Sequence, residues 1–368
     1  MVHTYLPLFD AYPTLATMCP YIDLGSFPTP IEHLKNLEVI VNKKNLYIKR
    51  DDLSGTIIKY SKRLFGGNKV RKLSFLLADA KQKNFDTVIT FGGAGSNHAL
   101  CTAVYAQRCG LRCLLHLEPQ TNSETVKRNV LLNHYHQAQA REYEFEKLDE
   151  IALYNKALEN YLTTQRAPYL VPIGGSNALG TIGFVNAAFE LKKQAEQDLI
   201  PEPDYLYIPF GSMGTAAGLL VGLQVAGLKT KIRGVKITYT ERFNKQACIA
   251  LARETNNLLH KFDNSFPLLD LNADQLDITY NFIGPGYGQP TKQTHKAITI
   301  FKESTAIQLD VTYTGKTIAG LLHDIKTGFI KKNDVILFWN TYCGEDFADF
   351  IACINPRDLP MCFHKYFE

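Results

Sequence analysis

The sequence lacks a long uninterrupted apolar run. None of its apolar stretches approaches the roughly 18 to 20 residues of a membrane-spanning helix. Its first residues, MVHTYLP, do not follow the basic-then-apolar pattern of a signal peptide. We therefore expect no membrane partner and a cytoplasmic location.

The chain also lacks an excess of one charge. It has 40 basic and 36 acidic residues and a net charge of +4, a balance that indicates no nucleic-acid or anionic-membrane partner. It contains no internal repeat, no low-complexity tract and no flexible linker. With 368 residues, 45% of them hydrophobic, it can form one large domain or two ordinary ones.

Cysteine is present without the pattern of a disulfide framework. The eight cysteines are scattered along the chain, so we expect reduced thiols. Cys109, Cys113 and His116 have a spacing that a metal could use, but they lie in or beside a predicted buried strand and no fourth ligand follows nearby. We favour structural roles for them and expect no metal site.

Helical and strand patterns alternate along most of the chain. Helices are predicted at 70–83, 96–109, 123–133, 180–197 and 215–226, and strands at 87–91, 111–117, 167–172, 205–209 and 232–237. This alternation predicts an α/β protein with open parallel sheets covered by helices. In such sheets ligands bind beyond the carboxyl ends of the strands. The Pro-rich residues 1–40 predict an extended arm, and 37–49 a pair of strands.

Lys69 follows two glycines and Asn68 at the predicted start of a helix. Glycine allows the backbone to approach a planar ligand, and Asn68 suits an N-cap. The positive end of a helix and some desolvation lower the pKa of a lysine from about 10.4, so that its free amine can attack a carbonyl. Lys69 is therefore the candidate reactive residue. The alternative is a solvated basic helix start formed by Lys69, Arg71 and Lys72.

A run of small residues between a predicted strand and a predicted helix has the features of a phosphate cradle. It consists of Gly211, Ser212, Met213, Gly214 and Thr215. Exposed backbone N–H groups, hydroxyl donors and a helix N-terminus all favour an anion. The alternative is a tight turn without a ligand. A reactive lysine and a phosphate cradle in one α/β chain indicate pyridoxal phosphate as the cofactor.

A second glycine-rich turn, 92–97, also follows a predicted strand and opens a helix. Its backbone N–H groups could hold the carboxylate of a substrate. Ser96 as an ordinary N-cap is the alternative. His98 comes next in the sequence, and it could either support the site from behind or lie on the exposed surface of the helix.

Short blocks of residues occur in a fixed order along the chain: KRDDLSG at 49–55, GGNKVRKL at 66–73, GGAGSNH at 92–98, GGSN at 174–177, GSMGT at 211–215, GPGYG at 284–288, YTGK at 313–316, and Thr341. Together they resemble the 1-aminocyclopropane-1-carboxylate deaminase / D-cysteine desulfhydrase family. The resemblance implies a two-lobed, tryptophan-synthase-β-like α/β enzyme of fold type II with pyridoxal phosphate. It also implies a larger cofactor-binding domain, 1–70 with 181–368, and a smaller domain, 71–180.

The resemblance assigns roles to single residues. Lys69 would carry the cofactor in the block that includes Asn68, and the cradle 211–215 would hold its phosphate. Asn97 would bond the 3′-oxygen of the cofactor, and Ser96 would meet the substrate. Thr341 would contact the pyridine nitrogen of the cofactor. Tyr287 and Tyr313 would face the substrate and act as catalytic residues.

The chain departs from the family pattern at several positions. Gly95 replaces a glutamine, which removes a polar contact and widens the pocket. Asn340 replaces the histidine before Thr341, and 56–65 is longer and more basic. Deaminases that open the cyclopropane ring have a glutamate where this chain has Thr314. The segment after Glu345 matches nothing in the family.

These features predict a pyridoxal-phosphate-dependent lyase or deaminase of small amino acids. The favoured reaction converts D-cysteine to pyruvate, ammonia and hydrogen sulfide. The alternatives are 1-aminocyclopropane-1-carboxylate deamination, formally a hydrolase reaction, and a non-catalytic protein that binds pyridoxal phosphate and senses a metabolite. The resemblance also implies a homodimer.

Overall fold

The computed structural model describes residues 6–57, 62–143, 154–155, 158 and 167–368. The chain divides into two compact units. Unit 1 comprises Met1–Cys19, Gly25–Lys72 and Ser176–Gly344, and unit 2 comprises Pro20–Leu24, Leu73–Gly175 and Glu345–Glu368. The domain division expected from the sequence stays a prediction.

The strands are β1 (Ile31–His33), β2 (Leu46–Arg50), β3 (Thr87–Gly93), β4 (Arg112–Glu118), β5 (Gln139–Glu142), β6 (Tyr169–Leu170), β7 (Tyr205–Phe210), β8 (Lys231–Lys236), β9 (Leu276–Thr279) and β10 (Ile336–Asn340). The helices are α1 (Pro7–Ala11), α2 (Leu15–Met18), α3 (Lys35–Val41), α4 (Lys69–Gln82), α5 (Asn97–Arg108), α6 (Glu124–Tyr135), α7 (Ala178–Glu196), α8 (Gly214–Val225), α9 (Lys245–Phe262), α10 (Lys292–Thr305), α11 (Thr314–Lys326) and α12 (Ala348–Ile351).

Unit 1 contains a six-stranded sheet in the order β1-β2-β10-β7-β8-β9. Only β1 is antiparallel to its neighbour, and the other strands pair in parallel. Side chains of successive strand residues point to opposite faces. Phe338 accordingly packs against Phe301 of α10, whereas Trp339 packs against Phe184 of α7. Helices therefore cover both faces of this sheet.

Unit 2 contains a four-stranded parallel sheet in the order β5-β4-β3-β6. Ile89, Phe91 and Leu114 form an apolar cluster on it, and α5 packs against β3 and β4. Both units thus have the α/β architecture that the sequence predicts. No helix among the described residues is long and apolar enough to cross a membrane.

The alternation of helices and strands predicted from 70 to 237 is confirmed, with ends shifted by a few residues. Two predictions near the N-terminus are wrong. Residues 1–40 are not simply an extended arm, because α1, α2, β1 and most of α3 lie there. Of the pair of strands predicted at 37–49, the second is present as β2, but the first is wrong, because α3 lies there, burying Leu37 and leaving Val39 82% exposed. The β-branched run there favoured strand on propensity, but the burial of one helix face decided the outcome.

Candidate active site

Lys69 is the first residue of α4, as predicted, and Asn68 precedes it directly. The Lys69 Nζ donates to Asn68 Oδ1 at 2.8 Å, and Asn68 Nδ2 donates to Thr215 Oγ1 at 3.0 Å. Asn68 therefore links the candidate reactive amine to the predicted phosphate cradle.

A buried ionic network fixes the first turn of α4. Arg71 donates to Asp51, which directly follows β2, and to Glu190 of α7. Lys49 also donates to Glu190, and all these charged side chains are buried. Although burial opposes ionisation, Arg71 and Lys49 hold the pKa of Glu190 at about 2. Removing one partner of such a network leaves a buried charge uncompensated, so this turn is rigidly anchored.

The predicted cradle follows β7 and opens α8. Met213 adopts a left-handed conformation with φ 71°, which is unfavourable for a non-glycine residue and is found mainly at functional sites. Ser212 Oγ lies 2.9 Å from Ser176 Oγ, and the Gly214 N–H donates to Ser176 Oγ. Hydroxyls, N–H groups and a helix N-terminus thus meet in one place.

Lys72, one helical turn after Lys69, completes the cradle. Its Nζ donates to Ser176 Oγ at 3.1 Å. A Cβ atom on Gly214 would lie 2.6 Å from Ser176 Oγ and 2.8 Å from this Nζ, so any larger residue there would displace the groups of the cradle. Burial, and next the charge of Lys69, lower the pKa of Lys72 well below its ordinary value. An arriving anion would find a buried amine ready to be protonated.

Tyr287 and Tyr313 form a hydrogen-bonded pair with 2.5 Å between their hydroxyl oxygens. Burial, and next the neighbouring Tyr287, raise the pKa of Tyr313 well above its ordinary value. The Lys69 Nζ lies 6.0 Å from the centre of the Tyr313 ring, and Gly211 of the cradle approaches the same ring. The pair therefore lies beside both the amine and the cradle.

The loop that carries Tyr287 is held by Lys316 of α11. The Lys316 side chain is fully buried, and its Nζ donates to the carbonyl oxygens of Ile237 (3.3 Å), Ile283 (2.5 Å) and Gly286 (3.0 Å). Burial lowers its pKa to about 8, and the carboxylate of Asp310 opposes this change. Asp310 also accepts hydrogen bonds from the Tyr313 and Thr314 N–H groups at the start of α11.

Thr341 follows β10 and lies next to the turn before Lys69. Its carbonyl oxygen accepts the Asn68 N–H at 3.2 Å and would lie 2.7 Å from a Cβ on Gly67, which has φ 95°. Gly67 is therefore required by both its conformation and this close approach. Asn340 is buried, and its Oδ1 accepts the Tyr342 N–H. The role of Thr341 at a pyridine nitrogen stays a prediction.

Ser96 and Asn97 belong to unit 2. Ser96 is the N-cap of α5 and accepts the Ala99 N–H, and Asn97 Oδ1 accepts from Asn129. Their predicted contacts with substrate and cofactor stay predictions. His98 is not helix surface, because it is buried and bonded to Thr90.

The space beside Gly95 is filled. A Cβ there would lie 3.0 Å from Val126 Cγ2 and 3.2 Å from Gln120 Oε1. The expectation that glycine leaves a wider pocket is therefore wrong at this point, since neighbouring side chains close the gap. Of the basic insertion 56–65, residues 58–61 lie outside the described residues, and Ile57 pairs with Arg63.

The cysteines are free thiols. Cys113 is buried, and His116 stacks on Tyr143 with 4.4 Å between ring centres. These contacts are structural.

Unit 1 thus brings together the following residues singled out from the sequence: Asn68, Lys69, the cradle 211–215, Tyr287, Tyr313 and Thr341. Sequence reasoning missed Lys72 and Ser176 as members of the cradle. The basic residue three positions after Lys69 and the serine of the GGSN block were the available signals.

This donor set fits pyridoxal phosphate. Lys72, Ser176, Ser212 and Thr215 with the α8 N-terminus suit a phosphate group, because cations and N–H or O–H donors converge there. The Lys69 amine and the tyrosine pair supply the groups that chemistry at a cofactor carbonyl and at a bound amino acid needs.

A family profile described as "Pyridoxal-phosphate dependent enzyme" matches residues 22–341. A protein named D-cysteine desulfhydrase from Klebsiella pneumoniae (strain 342) is 34% identical over 88% of this chain and 94% of its own length. A protein of the same name from Salmonella newport (strain SL254) is 32% identical over the same shares.

Solved structures give the same fold. A structure titled as an ACC deaminase homologue matches with a TM-score of 0.77 and 29% identity, over 93% of this chain and 96% of that one. Threonine deaminase isoform 2 from Solanum lycopersicum matches with a TM-score of 0.60 and 19% identity, over 92% and 86% of the chains, which shows the fold alone.

Proposed function

Because the chain belongs to the family of pyridoxal-phosphate-dependent enzymes, we propose that it catalyses β-elimination and deamination of a small amino acid. D-Cysteine and water would give pyruvate, ammonia and hydrogen sulfide. The observation that carries this proposal is the cluster in unit 1, where Asn68 bridges the Lys69 amine to Thr215 of the cradle. Relatives named D-cysteine desulfhydrase support the substrate.

The residues of this cluster would have different roles in the reaction. Lys69 would carry the pyridoxal phosphate, which would supply an electron-withdrawing ring for chemistry at the substrate α-carbon. The amine of Lys69 then removes the α-proton as a general base. Lys72, Ser176, Ser212 and Thr215 hold the phosphate and so fix the position of the ring.

The tyrosine pair supplies the proton for the leaving group. The pKa of Tyr313 lies well above its ordinary value, so its phenol is protonated at neutral pH and can donate a hydrogen bond or a proton to the leaving group, although the raised pKa makes it a weaker acid than an ordinary phenol. The bond to Tyr287 allows the proton to pass between the two hydroxyls. A proton delivered to sulfur turns the departing thiolate into hydrogen sulfide.

The direct test is product analysis with purified protein over a panel of D- and L-amino acids. We expect sulfide and pyruvate in equal amounts from D-cysteine, at a higher kcat/KM than for 1-aminocyclopropane-1-carboxylate. A preference for the cyclopropane substrate would instead support the deaminase alternative, which the ACC deaminase homologue favours.

The position of Thr314 supports the first outcome. Thr314 is fully buried, and its hydroxyl donates to Asp310 at 2.7 Å. A glutamate there would place a second carboxylate against Asp310 and is disfavoured by repulsion and desolvation. The chain therefore suits a hydroxyl at position 314, so this position would supply no carboxylate partner to the ring nitrogen of a bound pyridoxal phosphate, and the ring would withdraw electrons less strongly.

Replacing Lys316 by methionine should lower kcat roughly ten- to hundredfold, a part of the 10²–10⁴ that a positioned proton donor contributes. The three carbonyl contacts that hold the Tyr287 loop would be lost, while the phosphate cradle stays intact. Steady-state kinetics with a cofactor titration measure both quantities.

Lys43→Met is the matched control. Lys43 is also buried and donates to two carbonyls, those of Lys44 and Asp334, but these precede β2 and β10 at the opposite end of the strands. An equal fall of kcat in both variants would show a general loss of stability and contradict the role of Lys316.

We propose further that the protein acts in the cytoplasm as a homodimer with a larger cofactor-binding domain and a smaller one. The buried free thiols Cys19, Cys101, Cys113, Cys248 and Cys343 suit a reducing compartment. Light scattering on the purified protein gives the oligomeric state, and a monomer would contradict the dimer.

A further inference from the structure

The segment Glu345–Glu368 lies beyond the residues that the family profile matches, and it packs as part of unit 2. Its Leu359, Phe363 and Tyr366 side chains are buried. The 3₁₀ helix Met361–Tyr366 packs against α6 and β5. The segment is therefore an integral part of the unit that carries Ser96 and Asn97.

Tyr366 joins two separate parts of unit 2. Its hydroxyl accepts the Gln120 N–H at 3.1 Å and donates to Glu142 Oε1 at 2.9 Å. Its carbonyl oxygen accepts from Asn122 at 3.0 Å. Because a buried donor or acceptor is costly to leave without a partner, these bonds fix the path of the chain after β4.

Gln120 passes this restraint to the turn between β3 and α5. Its Oε1 accepts the Gly95 N–H at 3.0 Å. The Gly95 carbonyl accepts from Asn129 Nδ2 at 2.9 Å, and the same amide group donates to Asn97 Oδ1 at 3.1 Å. The peptide groups around Gly95 are therefore held from both sides, by Gln120 and by Asn129.

We propose that Tyr366 is a positioning residue that acts through Gln120 to fix the turn 93–97. The C-terminal segment then sets the geometry with which Ser96 and the neighbouring N–H groups meet the carboxylate of the amino-acid substrate. This proposal rests on the proposed function only for the identity of the ligand, because the contacts themselves belong to unit 2.

The test compares Tyr366→Phe with Tyr169→Phe in the full-length protein. Tyr169 is a matched control, since its hydroxyl also donates to a carboxylate of unit 2, Asp79, at 2.8 Å, but is not hydrogen-bonded to Gln120 or Gly95. Tyr366→Phe should speed hydrogen exchange of the Gly95 amide roughly tenfold, as expected for the loss of one hydrogen bond. Tyr169→Phe should leave that amide unchanged.

A second variant tests the route through Gln120. Gln120→Ala should speed exchange of the same amide, and the double variant with Tyr366→Phe should add little, because coupled residues are non-additive. For an amino acid that the enzyme turns over, Tyr366→Phe should raise KM several-fold and change kcat by no more than about twofold relative to the unmodified protein.

Unchanged Gly95 exchange in Tyr366→Phe, or equal acceleration in Tyr169→Phe, overturns the proposal whatever the enzyme acts on. Accelerated exchange with no effect on KM for any amino acid leaves Tyr366 as the residue that fixes the turn. It then contradicts the substrate contact assigned to Ser96.

Discussion

Replacing Lys69 by alanine should abolish turnover, with kcat falling by at least about four orders of magnitude, as when a member of a catalytic unit is removed. The variant lacks the amine that we propose as both the carrier of the cofactor and the base at the α-carbon. The cradle keeps its donors, since Lys72, Ser176 and Thr215 are unchanged. Pyridoxal phosphate should therefore still bind, but without a covalent bond.

Borohydride reduction followed by peptide mapping identifies the amine that carries the cofactor. The structure provides one serious rival, because burial and next the charge of Lys69 lower the pKa of Lys72 well below its ordinary value and so favour its neutral amine. Trypsin cleaves after Arg71 and so separates the two lysines into different peptides. A label on the peptide that begins with Lys72 would contradict the assignment of Lys69.

Much of the fold was predictable because its signals are local. The helical spacing of α4 and the apolar runs of β3 and β7 lie within short windows of sequence. The failure at α3 has a local cause too, since Val39 and Ile40 favour a strand by propensity yet stay exposed on a helix that buries Leu37. The packing of this segment against the sheet determined that it is a helix, and strand propensity takes no account of such packing.

The sequence could single out residues that the structure brings together where each stands in a turn with its own chemical signature, as for Lys69 and the cradle, although their roles stay predictions. Lys72 was missed because its partner Ser176 is 104 residues away in sequence. Tyr366 was missed for the same reason, since Gln120 precedes it by 246 residues. A local sequence pattern gives no information on contacts between residues so far apart in the chain. Only the structure shows that Lys72 contacts the cradle and that Tyr366 contacts Gln120.

Replacing Lys72 by methionine should weaken binding of pyridoxal phosphate by roughly 140- to 3,700-fold. Removing one partner of a buried charge pair costs about 3 to 5 kcal/mol, and each 1.4 kcal/mol is tenfold in affinity.

Without cofactor, the Lys72→Met variant should nevertheless be at least as stable as the unmodified protein. The lowered pKa of Lys72 means that folding disfavours its charged form, and methionine removes that cost. Cofactor titration and thermal unfolding of both proteins measure the two effects, with Lys43→Met as the control for loss of a buried lysine.

The pH dependence gives the same prediction an independent check. In the cofactor-free protein the unfolded chain holds the proton of Lys72 more tightly, so this residue makes stability rise with pH up to its ordinary pKa. A bound phosphate favours the ammonium form, so binding takes up a proton at Lys72 and weakens as pH rises. Pyridoxine 5′-phosphate is a suitable probe, because it has no carbonyl and its phosphate is a dianion above pH of about 7. The neighbouring Cys248 thiol does not interfere, since burial raises its pKa to about 12. The fall in affinity should disappear in Lys72→Met, and an equal pH dependence in both proteins would place the phosphate away from Lys72.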